Sequence, residues 1–377
     1  MSVIYIGLDV HCESFSAVCF NLQTGRYSLS TTFTPSSSNL LAYIRRVRSF
    51  FPNSDLKVGY EAGCLGFVPF HMLEDIGIPC DVMAPSSIFA PKHRTKTDSI
   101  DAKLIARTLA YGSYKPIYIP TPQEEEIRHF IHMREDFVGE FKRIKQRILA
   151  FCALHGLQFT GTKTKWTQKH IAWLRSLHLT SVNQMTLDEY MESFFHLTDK
   201  IARIDSQLEK FAQLPEFSWA VERLCCLKGI KTCQAMTIIT ELGDLRRFPS
   251  ARALYSYVGL VPSEYSSGGS VNKGSITKAG NYRVRRSLVE AAQKYGVGTI
   301  GYKSKALKAR QKGHSPAIIG FADRSSHKLM KAWKDMSQRG KPNNVIKCAI
   351  ARKLLGSIWA LLTDRIEPRA GREKMSK

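Results

Sequence analysis

The chain lacks the features of a membrane or secreted protein. No apolar run approaches the roughly 20 residues that cross a bilayer, and the first residues, MSVIYIGLDV, contain no charged region leading into a long apolar stretch. The nine cysteines include no CxxC pair, and the Cys225–Cys226 doublet with Cys233 does not have zinc-finger spacing. We therefore expect a cytoplasmic protein whose cysteines are reduced.

Acidic residues become scarce toward the C-terminal end. Residues 1–100 contain eight Lys/Arg and eight Asp/Glu, whereas residues 265–377 contain 25 Lys/Arg and only 6 Asp/Glu. This division favours chemistry in the N-terminal part and a bound polyanion in the rest. No lipidation signal or basic amphipathic anchor accompanies the charge, so nucleic acid is a better candidate than a membrane surface. The sequence also contains no GxxxxGK[ST] loop, so no ATP-binding site is predicted.

Four acidic residues near the N-terminus have the placement of metal ligands. Asp9 follows the apolar run Val3–Leu8, Glu61 ends a second apolar run, and Asp98 and Asp101 share one face of a predicted helix. Carboxylates gathered at one point repel each other unless a divalent cation neutralises them, and hard oxygen ligands select Mg²⁺ or Mn²⁺. Ions held there would activate and stabilise the oxygens of a phosphodiester. The alternative is that Asp98 only caps a helix and Asp9 only ends a strand.

The first 120 residues read as three strands followed by alternating helices and strands. The predicted strands are Val3–Leu8, Phe15–Asn21, Tyr27–Phe33, Lys57–Glu61, Cys80–Met83 and Ile117–Ile119, and the predicted helices are Asn39–Phe50, Leu65–Ile76 and Ser99–Tyr111. This is the element order of an α/β ribonuclease H-like sheet. In that architecture the acids fall on the first strand, the fourth strand and the last helix, where they occur here.

The middle of the chain carries two series of residues at alternating spacings of three and four, all of them apolar except Arg134. The positions are Ile127, Phe130, Arg134, Phe137, Phe141, Ile144, Ile148 and Phe151, then Leu187, Tyr190, Phe194, Leu197, Ile201, Ile204, Leu208 and Phe211. This spacing predicts two long helices that form a coiled coil, within the chain or across a dimer; an ordinary helical bundle is the alternative. The basic and aromatic connecting segment suits either stacking on nucleic acid or a buried core around Trp173 and Leu174.

Two further features lie in the C-terminal part. The segment Val221–Leu242 contains two apolar helical stretches around a Lys-Gly-Ile-Lys turn, as in a helix-hairpin-helix or an ordinary helical hairpin. Beyond it, the loop Ser266–Gly269 is followed by cations that could stabilise phosphate charge beside a nucleophilic serine. These cations are Lys273, Lys278, Arg283, Arg285 and Arg286. Alone, such a loop is more typical of a solvated turn.

Together these motifs resemble the DEDD-type insertion-sequence transposases, whose relatives include pilin-gene inverting recombinases. The resemblance rests on Asp9, Glu61, TKTDSIDAKLIA, LKGIK, ITELGDLRRFPSARALYSYVGLVPSEYSSGG and ITKAGNYRVRRSLVEAA, and it covers residues 3–112 and 220–295. It implies a RuvC-like domain in which Asp9, Glu61, Asp98 and Asp101 hold Mg²⁺ or Mn²⁺. One departure is the turn Gly229-Ile230-Lys231, where relatives commonly have a second glycine.

The resemblance also implies a covalent reaction. A loop serine would attack DNA and form a phosphoserine intermediate, and we assign this role to Ser267, with Ser266 as the alternative. The same resemblance implies donor and target DNA, a structured noncoding guide RNA of the bridge type, and assembly as a dimer or tetramer. While bound to DNA, the protein would be associated with the nucleoid.

We therefore predict three regions in this chain. They are a ribonuclease H-like catalytic domain at 1–120, a coiled-coil oligomerisation region at 121–215, and a basic, mostly helical transposase domain at 216–377 with a helix-hairpin-helix-like element. The predicted function is a transposase or site-specific recombinase that cuts and rejoins DNA strands. A metal-dependent nuclease of the Holliday-junction type, in which water replaces serine, is one alternative. A noncatalytic RNA-binding protein is the other.

Overall fold

A computed structural model describes residues 2–85, 88, 98–264 and 272–366, except the side chain of Lys273. The chain divides into two compact units, Met1–Ile119 and Pro120–Lys377. The first unit combines α-helices with a five-stranded sheet, and the second is mostly helical. In the described ranges, no helix is long and apolar enough to cross a membrane.

The sheet of the first unit follows the predicted order of strands. Its strands are β1 (Ser2–Val10), β2 (Phe15–Asn21), β3 (Arg26–Phe33), β4 (Ser54–Glu61) and β5 (Cys80–Met83), arranged β3-β2-β1-β4-β5. The pairs β1–β2 and β2–β3 are antiparallel, whereas β4 lies parallel to both β1 and β5. A three-stranded meander extended by parallel strands is the mixed α/β sheet that the sequence predicted.

Three helices cover the sheet, and the alternation of side chains along β1 separates the two faces against which they pack. Ile4, Ile6 and Leu8 point into one core, which includes residues of α1 (Ser37–Phe50). The same face carries Leu73 of α2 (Val68–Glu74). On the opposite face, α3 (Asp98–Ala110) packs against β1 and β2.

A glycine in β1 lets α3 lie close to the sheet, and its register partner in β4 makes room for the Met83 side chain. Gly7 of β1 and Gly59 of β4 are register partners on the face that α3 covers. A Cβ atom at Gly7 would lie 2.2 Å from the Ala102 carbonyl oxygen and 2.4 Å from the Ala106 nitrogen, both in the α3 backbone. At Gly59 it would lie 2.5 Å from the Met83 methyl group. The helix backbone therefore rests on the strand backbone, which fixes the position of its first turn.

The predicted strand Ile117–Ile119 is wrong. Only an isolated antiparallel bridge joins Met83 to Pro116, together with a 2.9 Å bond from the Ile117 amide to the Val82 carbonyl. Pro116 and Pro120 flank the segment, and proline has no N–H to donate to a ladder. The segment therefore stays irregular although its residues alternate as in a strand.

Two long helices open the second unit. Helix α4 (Pro122–Leu154) packs on α6 (Ser181–Phe211), and α5 (Gln168–Arg175) lies between them in sequence. The aromatic contacts Phe141–Phe194 and Phe130–Phe211 show that α4 and α6 run antiparallel within one chain. Supercoiling and a role in dimer formation stay predictions.

The connecting segment between α4 and α6 belongs to a small core of its own. Leu174 is fully buried, and Trp173 packs against the same cluster as Phe194. Trp166 stacks on Phe194 with ring centroids 5.1 Å apart. Of the two interpretations of these aromatic residues, stacking on nucleic acid or a buried core, the structure supports the buried core.

The remaining α-helices include the predicted hairpin, and all but one of them contribute buried residues to one core. They are α7 (Pro215–Cys225), α8 (Thr232–Leu242), α9 (Ala251–Val258), α10 (Tyr282–Ala292), α11 (Lys305–Gln311), α12 (Pro316–Gln338) and α13 (Asn343–Leu362), with a short antiparallel ribbon of β6 (Pro262–Glu264) and β7 (Lys273–Ile276). Helices α7 and α8 pack on each other, and Ile230 in their turn is fully buried. Ile127 of α4 and Leu208 of α6 join this core, so one end of the long helical pair is continuous with it.

We expect Gly7→Ala to destabilise the first unit by about 1–3 kcal/mol, because the added methyl group would meet helix backbone that cannot rotate away. All five tryptophans lie in the second unit, so hydrogen exchange of the β1 and β4 amides is the suitable measurement. Gly63→Ala is the matched control, since the nearest atom to its Cβ would be 3.9 Å away. Equal exchange rates in both variants would contradict the close packing of α3.

Candidate active site

Asp9 and Glu61 lie side by side at one edge of the sheet. The parallel register of β1 and β4 pairs Leu8 with Tyr60, so Asp9 and Glu61 are the next residue on each strand. Their side chains alternate with the buried Leu8 and Tyr60 and therefore share the face that α3 covers. Strand topology thus places two of the four predicted acids together.

The first turn of α3 brings the other two acids to the same edge. Asp98 is the first residue of the helix and Asp101 follows one turn later. The charges of Asp101 and Asp98 both raise the pKa of Asp9, so both carboxylates lie within electrostatic reach of it. A helix N-terminus favours negative charge, which offsets part of their mutual repulsion.

His11 is a candidate ligand that the sequence analysis missed. Its Nε2 lies 3.4 Å from Asp9 Oδ2 and 4.0 Å from Asp98 Oδ1. One ligand atom from each of these three residues falls within 4.8 Å of the others, while Glu61 and Asp101 are not part of that tight group. The available signal was the spacing: His11 is two residues after Asp9, so an extended chain places both side chains on one face.

Asp9 is less exposed than His11 and Asp98 in this acidic cluster, which we define as Asp9, His11, Glu61, Asp98 and Asp101. Its side chain is 15% exposed, against 55% for Asp98. Its Oδ2 is buried, and no described donor bonds it with hydrogen-bond geometry, although His11 lies nearby. Burial raises the pKa of Asp9, and the neighbouring aspartates raise it further, against a lowering by His11.

This donor set fits a divalent cation. A buried carboxylate oxygen that accepts no hydrogen bond from the described residues has lost its water, and the charges of Asp101 and Asp98 oppose its ionisation while His11 favours it. A cation would reverse both costs. Carboxylate oxygens suit Mg²⁺ or Mn²⁺, and the imidazole of His11 is a better ligand for Mn²⁺ than for Mg²⁺.

The predicted serine lies outside the described residues, but the segments on both sides of it are well defined. Ser266 and Ser267 fall between β6 and β7, which pair antiparallel. The Thr277 amide donates to the Val261 carbonyl at 2.9 Å, and the Lys278 amide donates to the Gly259 carbonyl at 3.2 Å. The two chain ends that lead to the serines are therefore held side by side.

The predicted cations differ in what they contact. Arg283 is ion-paired with Glu135, and both side chains are only 17% exposed. Arg285 donates to the Val258 carbonyl at 2.8 Å, whereas Arg286 is 42% exposed and lies 3.3 Å from Glu290. Lys278 is exposed, and the side chain of Lys273 is outside the described part. Arg283 and Arg285 thus hold protein segments together, while Arg286 and Lys278 are accessible to a ligand.

A buried carboxylate supports the start of α10, just after the serine segment. Glu241 accepts hydrogen bonds from His132 Nε2 at 2.6 Å and from the side-chain Nδ2 of Asn281 at 2.5 Å. Burial alone would raise the pKa of Glu241, but these bonds and the nearby Arg128 hold it below its ordinary value. Asn281 in turn accepts from the first amides of α10. Sequence reasoning missed this network because its members are far apart in the chain.

Comparison with known proteins agrees with this arrangement. A family model for the IS110-type DEDD transposase domain matches residues 6–155, and a model described as the transposase IS116/IS110/IS902 family matches residues 221–300. A putative transposase of Sinorhizobium fredii is 30% identical over 363 residues, which cover 96% of this chain and 88% of the relative. The chain belongs to the IS110-type DEDD transposase family. The predicted resemblance is thereby confirmed.

Other relatives of this transposase extend over nearly the whole chain. The transposase for insertion sequence element IS1533 of Leptospira borgpetersenii is 22% identical over 90% of this chain and 98% of its own. The pilin gene-inverting protein of Moraxella lacunata is 25% identical, with 96% of both chains covered. Transposases act on DNA by cutting and rejoining it, and the DEDD domain is RuvC-like and implies a divalent metal.

We expect Asp9→Asn to stabilise the metal-free transposase at neutral pH. The pKa of Asp9 is higher in the folded protein than in the unfolded chain. At low pH the protonated carboxyl group favours the folded state, and this contribution to stability is lost as the pH rises through the raised pKa. The side chain of Asn is neutral at every pH, so the variant does not lose this stability. Pulse proteolysis in urea, applied to the first unit, measures the change, and Asp55→Asn at the other end of β4 is the exposed control.

Mn²⁺ should stabilise the wild-type protein and not the Asp9→Asn variant. Because we expect the ion to bind only the folded acidic cluster, Mn²⁺ should stabilise the wild-type first unit by about 2.7 kcal/mol at 100 times its dissociation constant. Asp9→Asn should abolish this gain and Asp55→Asn should keep it. A metal-free Asp9→Asn protein that is less stable than wild type, or one that Mn²⁺ still stabilises fully, would contradict the assignment.

Proposed function

We propose that this transposase cuts and rejoins DNA strands with two cooperating groups, the acidic cluster and the hydroxyl of Ser267. The observation that supports it most strongly is the buried, unsatisfied carboxylate oxygen of Asp9 beside Asp98 and Asp101. A fold does not maintain such a costly group without compensation, and a divalent ion supplies it. The serine assignment rests on the family resemblance.

In this proposal, Asp9, Glu61, Asp98 and Asp101 hold one or two Mg²⁺ ions. When bound, the metal polarises the scissile phosphodiester and stabilises charge on the attacking and leaving oxygens. Asp9 anchors the site because the sheet fixes it, whereas Asp98 and Asp101 arrive with α3, which rests on Gly7. His11 orients Asp9 and can serve as a further ligand.

Ser267 provides the nucleophile. Its Oγ attacks phosphorus, the bond from phosphorus to one deoxyribose oxygen breaks, and the strand leaves with a free hydroxyl group that takes up the proton released by the serine. A hydroxyl group of another strand later attacks the phosphoserine, reforms a phosphodiester and releases the serine. Each step exchanges one ester for another, so the energy of the bond is conserved and ATP is not required.

The basic C-terminal part holds the nucleic acids. Its 25 Lys/Arg against 6 Asp/Glu suit a polyanion, and the accessible Lys278 and Arg286 lie close to the serine segment in sequence. The partners in this proposal are donor and target DNA and a structured noncoding guide RNA. The protein acts as a dimer or tetramer.

Ser267→Ala should remove a protein-linked DNA strand from denaturing gels of a reaction with labelled DNA, guide RNA and Mg²⁺, because no ester can form without the hydroxyl. Ser270→Ala in the same segment is the matched control, and Ser266→Ala tests the other candidate. Full product yield from Ser267→Ala without any linked strand would favour the hydrolytic nuclease instead.

Asp101→Asn should abolish strand cleavage while leaving nucleic-acid binding measurable, since the acids act on the phosphate and the basic region provides affinity. Cleavage assays and gel shifts with the same substrate separate the two effects. Asp55→Asn should leave both unchanged. Unaltered turnover in Asp101→Asn would refute the assignment of Asp101 to the metal site.

A further inference from the structure

Two cysteines face each other beside the acidic cluster. Cys12 Sγ lies 3.6 Å from Cys64 Sγ, although 52 residues separate them in the chain. Both side chains are exposed, whereas the other seven cysteines are buried or partly buried. The contact is therefore between the two thiols of this chain that solvent reaches most easily.

The sheet topology brings these thiols together. Cys12 is two residues beyond the end of β1, and Cys64 is three residues beyond the end of β4. Because β1 and β4 are parallel neighbours, the segments that leave them emerge at the same edge. These segments also follow Asp9 and Glu61 directly, so the thiol pair belongs to the rim of the acidic cluster.

The two sulfurs are in van der Waals contact and need only a short approach to form a bond. A disulfide requires about 2.05 Å between sulfurs, so an approach of about 1.5 Å is sufficient. Exposed side chains in loops can move this far by changing rotamer. Exposure also lets either thiolate reach and attack a small disulfide.

We propose that Cys12 and Cys64 form a reversible disulfide with a low-molecular-weight disulfide as the oxidant, and that this bond lowers the activity of the acidic cluster. One thiolate attacks the small disulfide, forms a mixed disulfide and releases one small thiol. The second thiolate attacks the protein sulfur of that mixed disulfide and releases the other. The protein loses two hydrogen atoms in total, and one small disulfide is reduced to two thiols.

The effect on the site follows from the neighbours of Cys12. His11 precedes it and lies within 3.4 Å of Asp9 and 4.0 Å of Asp98. Drawing Cys12 toward Cys64 displaces the His11 backbone and fixes the segment that follows Glu61. The metal ligands then lose the freedom to close around an ion and a phosphate. This second part of the inference rests on the proposed function, whereas the formation of the bond does not.

The bond itself is tested by peptide mapping of the full chain after incubation with oxidised glutathione. We expect one cross-linked peptide pair that contains Cys12 and Cys64 and that disappears on addition of dithiothreitol. Cys348→Ser, which removes a partly buried cysteine, should give the same pair. Cys12→Ser should instead carry glutathione on Cys64. Mixed disulfides on both cysteines of the wild type without a cross-link would overturn the inference.

The effect on the site is tested by Mn²⁺ affinity and by DNA cleavage, each with oxidised and reduced protein. We expect oxidation to weaken Mn²⁺ binding and slow cleavage several-fold in the wild type and in Cys348→Ser, with no change in Cys12→Ser. Unchanged Mn²⁺ affinity and cleavage in the cross-linked protein would refute the regulatory effect. If the reduced wild type neither binds Mn²⁺ nor cleaves, the proposed function fails, and the peptide map still decides whether the bond forms.

Discussion

The desolvation of Asp9 among other carboxylates is the constraint on which the first unit depends. The pKa of Asp9 is raised by burial and by the charges of Asp101 and Asp98, and its Oδ2 lacks a described hydrogen-bond donor. Such an arrangement costs stability in the metal-free protein. The sheet and α3 tolerate it because strand pairing and apolar packing on both faces fix the backbone around it.

The Gly7–Gly59 pair connects this electrostatic cost to the fold. Because Gly7 has no side chain, the backbone of α3 at Ala102 and Ala106 approaches β1 closely and fixes the helix against the sheet, while Gly59 leaves room for the side chains of Met83 and Leu109. Asp98 and Asp101 therefore reach the edge where β1 and β4 end. A bulkier residue at Gly7 would displace α3 and with it Asp98 and Asp101, so a change in packing at this position also changes the candidate metal site.

Much of the fold and of the candidate site could be predicted from the sequence, because local sequence patterns indicated them. Apolar runs ending in Asp9 and Glu61 indicated two strand ends, and the spacing of Asp98 and Asp101 indicated one helix face. His11 was missed although its spacing of two residues from Asp9 was visible, because a single histidine after a strand does not by itself indicate a ligand. The strand predicted at Ile117–Ile119 failed because the flanking prolines remove ladder donors. Contacts such as Glu241 with His132 depend on tertiary packing, which no local pattern reports.

The two units differ in charge and in architecture. The first has a costly acidic cluster, and the second combines a large helical core with an excess of cations. The most direct measurement of the central claim is anomalous X-ray scattering from crystals grown with Mn²⁺. The account predicts a manganese peak bonded to Asp9 Oδ2, with Asp98 as a neighbouring ligand. Manganese sites confined to other residues, with Asp9 unliganded, would contradict it.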